Sequence, residues 1–240
     1  MTEKANLSQT KQTLSDLLAN SMFGAGRVVV EENVDWRTLW LEAYMQGVSA
    51  VAFSGINISN CPEASRIAIK NKLKEVVTAN ATVNREHARL HGILKNAEIP
   101  YVFLKGSASA FYYNQPLLRT MGDVDFLVRE EDVFRTEAAL IENGYVPTEK
   151  THGHHKVYEG KCRLELHTAP AGVPEGERGE EIRRLLSDII DKSVCENTMF
   201  GEMCFPYLHH QEIPAEPRDF CRRFSVPDFL LQKYQASAHR

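Results

Sequence analysis

Two short patterns in the middle of the chain carry residues suited to phosphate and metal chemistry. The first is Lys105-Gly106-Ser107, directly after the apolar run Tyr101–Leu104. The second is Asp123-Val124-Asp125, at the head of the apolar run that ends at Val128. A glycine after a strand lets the backbone turn sharply and approach a ligand. The helix expected to follow offers unsatisfied N–H groups and the positive end of its dipole, an arrangement that binds phosphate, and the Ser107 hydroxyl adds a donor. Alternate residues of a strand face the same side, so Asp123 and Asp125 project together while Val124 and Phe126 face the core. Two carboxylates this close repel unless a cation lies between them. A hard divalent ion such as Mg²⁺ fills that role and prefers carboxylate oxygens together with substrate phosphates.

A third carboxylate comes from RLELH, where Leu164 and Leu166 alternate with Arg163, Glu165 and His167. If this strand lies beside the aspartate strand, Glu165 converges on the pair. Three carboxylates can hold two ions roughly 4 Å apart, which activate an attacking hydroxyl and stabilise a leaving pyrophosphate. His167 shares the Glu165 side of its strand and is a candidate substrate contact or a support for a carboxylate.

The stretch LKGSASAFYYNQPLLRTMGDVDFLV, followed later by LELH, resembles the nucleotidyltransferase fold of the DNA polymerase β superfamily. Within that fold it looks like a family of largely uncharacterised bacterial nucleotidyltransferases. The resemblance covers residues 95–170 or so. It implies that Gly106 and Ser107 bind a triphosphate, that Asp123 and Asp125 ligate metal, and that Glu165 is the third ligand and a candidate general base. It further implies phosphate contacts for Lys105 and Arg119. The cofactor would be Mg²⁺ or Mn²⁺, the donor an NTP, and the reaction nucleotidyl transfer of the EC 2.7.7 type. The acceptor stays open among a small molecule, a protein side chain and an RNA end. Proteins of this kind usually continue into a substantial helical C-terminal region, in contrast to the Pro- and Arg-rich tail here. That contrast keeps a second reading in view, a catalytically silent nucleotide-binding or partner-binding module of antitoxin-like or regulatory type.

The elements that must position these residues follow from periodicity. Residues 8–47 read as helical, with stripes at Leu14, Leu17, Leu18 and at Trp36, Leu39, Trp40, Tyr44. SAVAFSGINIS reads as a break, and Pro62 suits the first turn of a new helix. Ile69, Leu73, Val76, Val83, Leu90 and Leu94 then keep a helical stripe, with Asn80 and His87 in its gaps, up to the Ile99-Pro100 step. His87 and His91 stand one helical turn apart, and His152, His154 and His155 cluster in sequence, but no ligand set completes a zinc site around either group.

A strand at 101–104, a short helix at 107–113, a loop to Gly122 and a strand at 123–128 come next. A helix over 131–143 ends at Gly144. HHKVYEGKCRLELHT reads as a hairpin turning at Glu159-Gly160-Lys161. A helix over 180–190 and two short strands around Gly201-Glu202 complete the ordered part. The expected class is α+β: a mixed sheet flanked by helices, behind a helical N-terminal region. The expected divisions are 1–97, 98–205 and an irregular or partly disordered tail over 206–240.

Bulk properties exclude some partners. Of 240 residues, 43% are hydrophobic and 25% charged, and the net charge is -4. That balance gives no general pull toward nucleic acid or anionic lipid. No apolar run suits a membrane span and no signal-peptide core opens the chain, so a cytoplasmic protein is expected. The five cysteines are scattered, odd in number and lack any C-x-x-C pair, which argues against a disulfide framework and a structural zinc site, and most read as small buried hydrophobes.

Overall fold

The computed structural model describes residues 3–23, 30, 34–57, 59, 61–110, 113, 115–148, 155–169, 173 and 175–206. The expectations for residues 207–240 and for His152 and His154 lie outside the described residues. The chain divides into two compact units, one of residues 1–78, 112–120 and 209–240, the other of residues 79–111 and 121–208.

The first unit is helical. It contains α1 (Glu3–Phe23), α2 (Trp36–Met45), α3 (Ser49–Ser54) and the opening part of α4 (Glu63–Asn96). Asp35 caps α2, accepting from the amides of Arg37 and Thr38 and from the Thr38 hydroxyl. Leu14, Leu17, Leu18, Leu39, Ala43, Val51, Phe53, Ile69 and Val76 form its core, and Trp40 stacks on Phe53. The segment expected as a break is helix α3 instead. Its residues Ser49–Phe53 are all buried, and the apolar environment on every side outweighs the modest helix propensity of Ser, Val and Phe.

The second unit is built on a mixed five-stranded sheet of order β1-β2-β5-β4-β3. The strands are β1 (Tyr101–Phe103), β2 (Asp123–Val128), β3 (Val146–Pro147), β4 (His155–Glu159) and β5 (Arg163–His167). β1 runs antiparallel to β2, β2 parallel to β5, and β4 antiparallel to β5 and β3. Between them lie α5 (Gly106–Ala110) and α6 (Val133–Glu142), followed by α7 (Glu177–Leu186) and the hairpin β6–β7 (Val194–Thr198, Gly201–Phe205). Val83, Leu90 and Leu94 of α4 join Phe103, Val124, Phe126, Leu140, Leu164, Leu166, Met203 and Phe205 in one core. β2 is buried along nearly its whole length, as expected of a strand flanked by two others and covered by helix. Gly144 follows α6 with φ +84, the left-handed conformation that ends a helix.

Cys195 and Cys204 face each other across the β6–β7 ladder and are joined by a disulfide, where the scattered spacing argues against a disulfide framework. The turn sits at Met199-Phe200, two residues earlier than expected, and this sets the register that makes them partners. Among the described residues no helix is long and apolar enough to cross a membrane.

Candidate active site

The β2–β5 pairing places Asp125 directly opposite Glu165, and His167 one pair further along, opposite Leu127. Both aspartates of the motif stand on the same strand side, but their environments differ. Asp123 is half-buried and pairs in register with Arg163. Asp125 is only 2% exposed. Its Oδ1 accepts from His167 Nε2 at 3.0 Å and from Lys105 Nζ at 2.9 Å. His167 Nε2 is also 3.8 Å from Glu165 Oε2. Burial pushes the Asp125 carboxyl up, but the hydrogen bonds and charges of His167 and Lys105 reverse this and hold it below its ordinary value.

The Lys105–Ser107 turn abuts this group because β1 leads into it. The Leu104 amide donates to the Asp125 carbonyl at 2.9 Å, extending the β1–β2 ladder to the turn. Lys105 and Gly106 then adopt left-handed backbone, with φ +44 and +34. A Cβ at Gly106 would meet only ordinary contacts, to His87 and the Asp123 carbonyl. The glycine is therefore required by its dihedral rather than by lack of space. α5 is five residues long, too short for a large dipole, so the turn's own N–H groups are what it offers an anion. The Ser107 hydroxyl is buried with no hydrogen-bond partner among the described residues.

Beneath the turn lies His87, a residue that no sequence signal marked as part of the site. Its Nδ1 lies 2.9 Å from the Val83 carbonyl. A carbonyl only accepts, so Nδ1 carries the proton and Nε2 is left as an acceptor. Nε2 faces Gly106 and has no hydrogen-bond partner among the described residues. Complete burial keeps the ring neutral, lowering its pKa to about 4. The clue in the sequence is a histidine that, like Asn80, fills a gap in an apolar helical stripe. Its neighbour His91 takes another direction, bonding the Tyr101 hydroxyl and Glu202, so the two do not share a metal.

One ligand atom from each of Asp125, Glu165 and His167 lies within 4.8 Å of the other two. Ligands of one small divalent ion lie at most about 4–4.5 Å apart, twice a bond of roughly 2.0–2.2 Å, so this donor set fits a single ion after small adjustment. Asp123 stands outside this tight group. Arg119 belongs to the first unit, where it bonds the Thr120 carbonyl at 3.4 Å.

The model of a family described as uncharacterised nucleotidyltransferase matches residues 32–200. The chain belongs to that family. No curated protein matches the sequence. Among solved structures, the crystal structure of ANT(2")-Ia in complex with adenylyl-2"-tobramycin is 14% identical, with a TM-score of 0.33, 62% of this chain and 91% of that one covered. The solution structure of antibiotic-resistance factor ANT(2'')-Ia is 13% identical, with a TM-score of 0.35 and coverage of 68% and 95%.

Proposed function

We propose that the chain transfers a nucleoside monophosphate from an NTP to an acceptor hydroxyl or similar nucleophile, with pyrophosphate leaving. The observation that carries this reading is the packing of Asp125, Glu165 and His167 against the Lys105-Gly106-Ser107 turn, in a member of a nucleotidyltransferase family. In this reading Asp125 and Glu165, with Asp123 at the rim, hold a divalent ion, Mg²⁺ or Mn²⁺. The bound ion would supply charge neutralisation for the triphosphate and a lowered pKa for the attacking group. His167 orients the Asp125 carboxylate by donating from Nε2, and would join the ligand set only on giving up that proton. The amides of Gly106 and Ser107, the Ser107 hydroxyl and Lys105 receive phosphate oxygens. Catalysis is then positioning plus electrostatics, with the nucleophile aligned for attack at the α-phosphorus. The acceptor is a small molecule, a protein side chain or an RNA end.

The test incubates the purified protein with each α-³²P-labelled NTP and Mg²⁺ or Mn²⁺, with and without cell extract, beside an Asp123→Ala/Asp125→Ala double variant. Label moving to a macromolecular or small-molecule fraction with wild type alone establishes transfer and the acceptor class. Transfer that survives in the double variant removes the reading.

A further inference from the structure

A buried carboxylate needs countercharge, because the cost of taking it out of water is several kcal/mol. Asp125 has that countercharge from within the chain. The Lys105 ammonium lies 2.9 Å from its Oδ1 and is also drawn electrostatically to Glu165 and Asp123. A tethered cation thus sits on the buried carboxylate of the motif. It reaches them from a left-handed backbone, φ +44, which a residue other than glycine seldom adopts. Its side chain is 56% exposed, so the head can leave Asp125 without opening the core. The same head stands at the start of the turn that offers its amides to phosphate.

Resting on the proposed reading of this site, we infer that Lys105 is an internal counterion of the metal site, holding Asp125 until a metal-bound nucleotide replaces it. The incoming ion takes the Asp125 oxygen, and the polyphosphate takes the released ammonium. A free divalent ion brings no such second partner, so it must compete against the tethered lysine. Metal and nucleotide therefore bind with positive coupling, each raising the affinity of the other. Lys105 is a positioning residue before binding and a phosphate contact after it.

The test measures Mn²⁺ binding by electron paramagnetic resonance without nucleotide, on wild type, Lys105→Met and Lys105→Arg. Lys105→Met binds Mn²⁺ about 10-fold tighter than wild type or more, the scale of an ordinary coupling between sites. Its thermal midpoint also rises further with Mn²⁺ than that of wild type. Lys105→Arg keeps the weak binding of wild type, and Asp125→Asn introduced into Lys105→Met removes the gain. If Lys105→Met does not fold, Lys105→Gln replaces it, being uncharged and able to donate to Asp125. Equal or weaker Mn²⁺ binding by the neutral variant overturns the counterion role while leaving the metal reading intact. Absence of Mn²⁺ binding in every variant, even with each NTP present, overturns the metal reading of the site and the counterion role with it.

Discussion

His87 and His91 stand one turn apart on α4 and are both buried, yet they serve different regions. Both ring nitrogens of His91 are matched. Glu202 accepts from its Nε2 at 3.0 Å and from Lys95 at 2.5 Å, and the Tyr101 hydroxyl donates to its Nδ1 at 2.7 Å. The hairpin that carries Glu202 is further tied by Cys195–Cys204. Around His87 the ring nitrogen facing the turn and the Ser107 hydroxyl are both buried and unmatched among the described residues. Buried polar groups are nearly always satisfied in stable structure. Saturation near His91 reads as scaffold, and open valence near His87 reads as a place built for something that arrives later.

Substitutions should separate the two regions. The largest effect belongs to the site side. Asp125→Asn is expected to lower nucleotidyl transfer on the order of 1,000-fold, about 4 kcal/mol of barrier, in steady-state assays with the labelled donor. Glu202→Gln, on the scaffold side, should leave the same assay within about 2-fold.

Next comes pH. The His87 pKa is lowered from 6.5 to about 4 by burial. Below pH 6.5 the unfolded chain takes up this proton and the folded chain does not, so stability falls as pH drops from about 6.5 toward about 4. The expected loss is about 3 kcal/mol, and denaturant titrations of His87→Leu should lack that part of the slope. Asp125 acts in a lower window. Its depressed pKa contributes stability above its ordinary value of 3.8, lost as pH falls through the folded value.

Reduction is a scaffold-side test. The disulfide closes a loop with a sequence separation of 9. Opening it with dithiothreitol should lower stability by roughly 2–3 kcal/mol without changing transfer at a temperature where the chain stays folded. The smallest effect is the stability change of Glu202→Gln in the same titrations, because the Glu202 carboxylate and the Lys95 ammonium are both open to solvent.

The comparison also marks what the sequence could convey. Period-2 and period-3.6 patterns placed β2, the β4–β5 hairpin, α4 and α6, since each is local and amphipathic. The Asp-x-Asp spacing identified one strand side for Asp123 and Asp125. Their unequal burial came from neighbours in space, β1 on one flank and β5 on the other. The meeting of Glu165 with Asp125 needed a parallel pairing that no alternation pattern encodes. His87 was hidden because the turn it underlies is reached only through β1. Cys195 and Cys204 form no local motif, and their pairing depends on a hairpin register that a turn two residues later would have replaced.

The parallel pairing of β2 with β5 has a consequence for the order of folding. β1 and β2 can meet as soon as residue 128 is available, whereas Asp125 gains Glu165 only after the α6 crossover and the hairpin are in place. Closing a segment of this length costs about 3 kcal/mol of chain entropy, met only when β5 docks. The acidic centre is thus a late product of folding. A nascent chain ending before β5 has the lysine and two aspartates but lacks the carboxylate and imidazole supplied by Glu165 and His167, and so the cluster of Asp125, Glu165 and His167 belongs to the finished sheet alone.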